Sequence, residues 1–339
     1  MIPGIVSAET FWVRNGWQSF RNVADAHTIA LGGARVTGTA GVANVGNPAL
    51  IGIKEYNRIS YTHQNRFAGI INSDLLAFEL PLLDRLPVGI VLLQESVNHI
   101  PNTIGLLLDW GADGLPGTGD PGEDNGILDE GERLNEDQLS FFNQRQLGFQ
   151  LSTAWRWKRN TFGLALKGLH HRLGDYQGNG FGIEAGIIRA LWPGAQVGMV
   201  IHDILSSWMI WDSGTVERTA PSLQVGLSQG RDWAARSLSI RLYGDARLSA
   251  DQSVDKQFKL GTSAITLSYG MELIFKDKFQ LKFGRDDIGL SSAGIGLVWE
   301  KFGFDYAYRM EPRSSQLGSS HYLTFTVDPA WLMQIGRTF

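Results

Sequence analysis

The feature that most constrains this chain is a two-residue alternation that recurs along its length. Leu267, Tyr269, Met271, Leu273 and Phe275 are apolar or aromatic, with Ser268, Gly270, Glu272 and Lys276 among the residues between them. Phe279, Leu281 and Phe283 alternate with Gln280, Lys282 and Gly284, and Phe302, Phe304, Tyr306 and Tyr308 with Gly303, Asp305, Ala307 and Arg309. Residues 238–247 and 322–327 repeat the pattern. Successive side chains of a strand point to opposite faces, so each segment carries one greasy and one polar face. No run of about 18 apolar residues occurs, which excludes membrane-spanning helices but not a strand-built crossing.

Fourteen strands are predicted, at 56–67, 74–82, 88–97, 144–157, 161–173, 180–192, 195–205, 221–229, 236–248, 266–276, 278–285, 290–300, 302–310 and 320–328. Connections after even-numbered strands are mostly tight, as at Arg159-Asn160, Pro193-Gly194, Asp277 and Lys301. Those after odd-numbered strands are mostly longer, at 98–143, 174–179, 206–220, 249–265 and 311–319. Short turns on one side and long loops on the other are the habit of outer-membrane barrels. A soluble sandwich has no reason to alternate loop length in this way. The reading is therefore an all-β chain, a 14-stranded antiparallel transmembrane β-barrel in the outer membrane of a Gram-negative bacterium. The even strand count places both termini on the short-turn, periplasmic side. Three segments fit less cleanly: 74–82 and 88–97 are apolar on both faces in places, and 286–292 is weakly patterned.

Composition narrows the classes further. The chain has 339 residues and no Cys, which removes disulfides, thiolate metal sites and Cys nucleophiles. Charged residues are 19%, below the roughly 25% of soluble domains. A net charge of -4 argues against a nucleic-acid partner. At the start, Val6-Ser7-Ala8 has the small-residue spacing of a signal-peptidase site, so 1–8 reads as the remnant of a signal peptide. At the other end, a terminal Phe339 fits a barrel assembly signal, although Gly336 stands one position off the usual spacing.

The stretch 24–51, with Leu31-Gly32-Gly33-Ala34 and then Gly46-Asn47-Pro48-Ala49, resembles the opening signature of the PorV/PorQ family, outer-membrane barrels similar to the FadL fatty-acid channels. The closing segment Phe302-Gly303-Phe304-Asp305-Tyr306-Ala307-Tyr308, with Leu317-Gly318-Ser319-Ser320-His321, resembles the family's last hairpin. Trp211-Asp212-Ser213-Gly214-Thr215 and Pro221 match a further loop. The resemblance spans roughly 20–328. It implies an N-terminal plug segment at 9–55 tucked into a barrel at 56–328, and residues 329–339 run past the last strand as an expected periplasmic tail. It also implies a role near type IX secretion, or in moving hydrophobic molecules. The acidic insertion within 98–143 and the tail depart from the family core.

That insertion is chemically distinct. Residues 109–137 hold ten of the chain's 34 acids and one base, Arg133, a net charge of -9. Asp109-x-Gly111-x-Asp113-Gly114-x5-Asp120 is close to a calcium-loop frame, and Pro121-x-Glu123-x-Asn125-Gly126-x5-Glu132 follows twelve residues on. Calcium takes six to eight hard oxygens, with Gly at the sixth position for the sharp turn. Asp109, Asp113, Asp120, Glu123, Asn125, Asp129 and Glu132 are the candidate ligands of a structural Ca2+. The alternative is a solvated acidic loop.

Other chemistry finds less support. His170-His171 cannot share one ion easily, because adjacent strand residues face opposite ways. No G-x-S-x-G, H-E-x-x-H or Walker A pattern occurs. The charges Glu79, Glu184, Arg241, Asp245, Arg247, Glu272, Lys282, Asp305 and Arg309 fall on polar faces and are expected to pair in the lumen and hold a plug. Trp208-Met209-Ile210-Trp211 is an apolar cluster in a predicted long loop, a docking surface for a partner or a feature of the barrel rim.

The leading expectation is a non-enzymatic barrel of PorV/PorQ type, a shuttle or docking component for secreted or surface proteins, in contact with outer-membrane lipid. The alternatives are a FadL-like transporter of hydrophobic small molecules and a structural subunit of a larger assembly. A plugged lumen with projecting apolar loops would favour docking. A greasy path from the loops to a lateral gap would favour transport.

Overall fold

In a computed structural model, the protein is described at residues 10–12, 17–38, 42–53, 57–83, 86–103, 105–130, 132–233, 235, 237–250, 258–260, 263–312 and 317–331. The signal-peptide reading at 1–8 and the assembly signal at Gly336 and Phe339 lie outside the described residues.

The strands are β1 (Thr10–Trp12), β2 (Arg58–Arg66), β3 (Ile71–Leu83), β4 (Leu86–Asn102), β5 (Leu107–Leu108), β6 (Arg133–Leu134), β7 (Ser140–Trp157), β8 (Asn160–Leu173), β9 (Tyr176–Ala190) and β10 (Ala195–His202). They continue as β11 (Ser207–Trp211), β12 (Val216–Thr219), β13 (Ser222–Trp233), β14 (Leu238–Ser249), β15 (Phe258–Leu260), β16 (Ser263–Phe275), β17 (Phe279–Arg285), β18 (Ser291–Val298), β19 (Phe302–Arg309) and β20 (Ser320–Val327). Sequence neighbours pair antiparallel, and β2 pairs with β20 from Ile59↔Val327 to Asn65↔His321, closing the sheet on itself. β10 and β11 lie along one edge of β9, and β12 runs into β13, so each couple is one interrupted stave. The wall then has fourteen staves: β2, β3, β4, β7, β8, β9, β10/β11, β12/β13, β14, β16, β17, β18, β19 and β20.

The alternation sorts cleanly between the two faces. Along β7, Gln146, Gln150 and Ser152 are buried toward the lumen, while Leu147, Phe149, Leu151 and Trp155 are exposed outside. Trp155, Trp157, Trp192, Trp299 and Phe302 are exposed at the short-turn rim, and Phe141 and Tyr176 near the long connections. The pairing of β2 with β20 closes the wall, the condition for placing sheet backbone in hydrocarbon. An apolar outer band between aromatic rims is the surface such a barrel shows to lipid.

The lumen is filled by the N-terminal segment. It carries α1 (Gln18–Asn22), α2 (Ala26–Ala30), α3 (Ala43–Gly46) and a 3-10 turn at Pro48–Gly52. These helices are too short to persist alone and depend on the wall for packing. Asp25 caps α2, accepting from Thr28 N at 3.0 Å and Thr28 Oγ1 at 2.8 Å, and also from Val42 N at 2.9 Å, which ties two parts of the plug together. Asn47 caps the 3-10 turn by accepting from Ala49 N at 3.0 Å, with Pro48 at the first helical position. Lumen-facing glycines let plug backbone touch wall backbone: a Cβ at Gly163 would collide with Ala49, and one at Gly284 with Gly32.

Two expectations need correction. The predicted loop 206–220 is mostly strand, because β11 and β12 extend their staves past an interruption. The predicted loop 174–179 shrinks to a turn at 174–175, because Gly178 and Gly180 still pair with Trp211 and Met209. A feature outside the predicted strand set is β1, which pairs parallel with β12 in the half that carries the long connections.

Candidate functional site

Inside the wall, Trp17, Phe20 and Val23 of the plug meet Leu75 and Ala77 of β3, Val91 and Leu93 of β4, Leu169 of β8 and Met209 of β11. Trp211 packs against the edge of this cluster. These side chains are buried against one another, so this part of the lumen is a packed apolar contact between plug and wall. The double-sided apolar pattern of 74–82 and 88–97 is the sequence signal for it: one face greets lipid and the other greets the plug.

The cluster ends against a buried ion network. Lys167 Nζ lies 2.6 Å from Glu184 Oε1 and 2.8 Å from Asp203 Oδ1, and sits over the rings of Trp17 at 5.5 Å and Phe20 at 5.3 Å. Ser207 Oγ donates to Asp203 Oδ1 at 2.5 Å. His202 joins Glu184 through Nδ1 at 2.9 Å and Gln224 through Nε2 at 3.2 Å. Gln224 Nε2 donates to Asp245 Oδ2 at 3.0 Å, and that carboxylate accepts from the backbone N–H of Arg35 at 2.7 Å and Val36 at 3.1 Å. One connected set of bonds thus runs from the wall to the plug.

This network sits where the wall is interrupted. His202 pairs with Ser222, and the next pair is Ser207 with Thr219, so four residues on one strand face two on the other. Asp203, Leu205 and Ser206 take positive φ values of 55°, 61° and 71°. Such values cost energy in residues other than Gly, so the surrounding bonds must hold them. Asp203 turns inward and is buried, while Leu205 is 82% exposed. Beyond Ser222, β13 no longer has β14 beside it, since Ser222↔Ser249 is the last pair. There the free edge of β12 is taken by β1, from Thr10↔Val216 to Trp12↔Arg218. Sequence reasoning found neither the bulge nor this parallel strand.

A second luminal cluster joins Lys282 to Asp305, with His27 Nδ1 of the plug 3.7 Å from Glu272 and 3.9 Å from Asp305. Tyr243 donates to Glu272 at 3.2 Å. Arg58 pairs with Glu79 at 3.1 Å and Arg309 with Glu311 at 3.1 Å. The predicted polar-face charges therefore face inward, most of them paired with neighbouring strands or with the plug. At the short-turn end, a cavity of about 450 Å3 lies between Gly38 of the plug and Trp192, Gln196, Gln229, Arg241 and Tyr243 of the wall.

The remaining predicted residues fall elsewhere. Trp208, Met209, Ile210 and Trp211 are not one loop patch but consecutive strand residues. Met209 is buried in the lumen and Trp211 packs beside it, whereas Ile210 is exposed and Trp208 stacks under the Arg218 guanidinium at 3.7 Å. A surface using all four at once would have to reach both faces of the wall. In the acidic insertion, carboxylates accept from the loop's own backbone. Asp109 accepts from Gly126 N at 2.6 Å, Asp113 from Leu115 N at 2.8 Å and Asp120 from Asp113 N at 2.8 Å. Glu132 accepts from Gly111 N at 2.8 Å and Asp129 N at 2.9 Å, Glu123 from Gly119 N at 2.5 Å, and Asn125 donates to Asp129 at 2.6 Å. Among the described residues, no three His, Asp or Glu side chains converge into a group that could hold a metal.

No family model matches the sequence, and no curated protein matches it. Solved structures do match the fold. The toluene transporter TodX of P. putida aligns with a TM-score of 0.51 at 12% identity, covering 90% of this chain and 98% of that one. The toluene transporter TbuX of Ralstonia pickettii aligns at 0.50 and 12%, with the same shares. The CymD monoaromatic hydrocarbon channel aligns at 0.51 and 11%, covering 90% and 96%. At these identities the likeness is one of fold. None of these matches supports the expected PorV/PorQ assignment or its link to type IX secretion.

Proposed function

We propose that the chain is a non-enzymatic outer-membrane conduit for small hydrophobic molecules, with its short turns toward the periplasm. The observation that carries this reading is the apolar cluster inside the lumen, ending at an interrupted wall stave. An apolar solute entering among these side chains would exchange water for them at about 25 cal/mol per Å2 of apolar surface, a gain that a polar solute does not share. The matched barrels are named as transporters or channels of toluene and monoaromatic hydrocarbons, which fits the same class of cargo. The docking role has less behind it, since its apolar segment is part of the wall and the family assignment it rested on has no match.

The test is uptake of toluene into vesicles containing the purified protein. Faster entry than into empty vesicles, with no gain for a polar solute of similar size, supports the proposal. Equal entry with and without protein contradicts it. A structural calcium site in the acidic insertion belongs to this proposal as a separate element: an ion would draw the carboxylates away from their backbone donors and offset the loop's repulsion.

A further inference from the structure

On the outer face of the barrel, two arginines stand directly opposite each other on adjacent strands. Arg145 of β7 pairs in register with Arg172 of β8. Residues directly opposite across an antiparallel pair have Cβ atoms about 4.5–5.5 Å apart, and like charges there repel. Both side chains are exposed. The other cross-strand neighbours are Ser96 for Arg145 and Gln177 for Arg172, neither of them acidic. Neither arginine forms an ion pair among the described residues. Each spends one donor inside the protein: Arg145 Nη2 bonds Gln94 Oε1 at 2.8 Å, and Arg172 Nε bonds Gly174 O at 3.3 Å. A guanidinium carries five N–H donors, so most of both forks point outward unused.

Their height on the wall is as informative as their pairing. Below Arg145 on the same face follow Leu147, Phe149, Leu151, Trp155 and Trp157, all exposed. From 147 to 157 is ten residues, which at about 3.3 Å each on a strand tilted by about 40° spans roughly 25 Å, the height of a lipid-facing apolar band. Leu164 and Leu166 continue that band on β8, and Phe181 on β9. The two arginines therefore sit one step above the hydrocarbon, on the side of the long connections. Lipid phosphates lie at that level.

We propose that Arg145 and Arg172 form a binding site for a phosphorylated lipid of the outer leaflet, its phosphate held between the two guanidiniums and its acyl chains lying along Leu147, Leu166 and Phe181. Phosphate is the anion that two planar forks hold best, through paired N–H···O bonds. It also turns the repulsion between the two cations into shared attraction. The site rests on the membrane orientation given above, but not on what passes through the lumen.

The experiment is native mass spectrometry of the full chain in detergent, titrated with bisphosphorylated lipid A, with the same lipid after phosphatase treatment, and with inorganic phosphate alone. The wild-type protein should bind the phosphorylated lipid at least tenfold more tightly than the dephosphorylated one. The double variant Arg145→Gln/Arg172→Gln should lose at least tenfold of that affinity. Arg189→Gln, an exposed outward arginine near the opposite rim, should bind as wild type. Removing like charges from an exposed position should leave the barrel folded, read by its heat-dependent gel mobility. In lipid-free detergent the double variant should unfold no earlier than wild type. Equal binding of both lipid forms, unchanged binding by the double variant, an equal loss from Arg189→Gln, or displacement of the lipid by equimolar inorganic phosphate would each overturn the site. Toluene uptake is not read, so a failed transport test and a failed lipid test are distinguishable.

Discussion

Lys167 Nζ lies 2.8 Å from Asp203 Oδ1, joining the fifth stave of the barrel to the interruption in the seventh. Asp203 has a positive φ, and its carboxylate is held by Lys167 and Ser207 together. The lysine thus pins the bulge that shapes the wall beside the apolar lumen. Burying these charges is costly, and removing one partner leaves the others uncompensated. Lys167→Met should destabilise the barrel by about 3–5 kcal/mol, measured by urea unfolding followed through tryptophan fluorescence. Lys167→Met combined with Glu184→Gln and Asp203→Asn should recover much of that loss.

The plug stays in place because wall glycines leave it room. Gly284→Val puts a side chain where the backbone of Gly32 now lies. The expected result is a displaced plug and a larger ion conductance in planar bilayers. Gly168, where a Cβ meets nothing within 4 Å, is the control, and Gly168→Ala should conduct as wild type.

The parallel pairing of β1 with β12 makes a local claim. Phe11→Pro removes a backbone N–H and fixes φ, so it should break that pairing. Amide exchange should rise in 216–219 and stay unchanged in 222–229, which pairs with β10 and β14. Equal exchange at both places would mean that β1 contributes nothing to the wall.

Asp286 provides a pH-dependent element outside the membrane-spanning strands. It accepts from Ile288 N at 3.2 Å and Leu290 N at 2.7 Å, and burial pushes its carboxyl up to about 6. A folded-state value above the unfolded one means that the proton binds the folded loop more tightly. The stability linked to Asp286 is therefore fully present below the unfolded value near 3.8 and is lost as pH rises through about 6. The Tm gained between pH 7 and pH 4 should be larger in wild type than in Asp286→Asn.

The acidic insertion is tested by ion removal. Calcium should protect 105–139 from proteolysis, and Asp120→Asn with Glu132→Gln should abolish that protection. A chelator that leaves the wild-type cleavage rate unchanged would identify the segment as a solvated loop.

The fourteen staves were legible because lipid and plug impose opposite demands on the two faces, and alternation records both. The aromatics Phe302 and Trp299 mark a rim for the same reason. The interruption at 203–206 was hidden, since Asp203, Leu205 and Ser206 carry no glycine to announce positive φ. Trp208–Trp211 reads as loop in the sequence because a short strand of bulky residues beyond a bulge lacks polar alternation. The luminal cluster left a trace in the two-sided apolar pattern of 74–82 and 88–97. Its partners Trp17 and Phe20 are distant in sequence, and only the fold brings them together.

If the proposal is right, apolar molecules cross through this lumen among the side chains of the plug–wall cluster. The most direct measurement is toluene flux into vesicles carrying wild-type protein, Leu93→Asp or Met209→Asp, each checked for barrel folding. Wild-type flux should be fast and both variants should lose at least tenfold, because a carboxylate in the cluster opposes an apolar solute. Wild-type flux no faster than empty vesicles, or folded variants as fast as wild type, would contradict it.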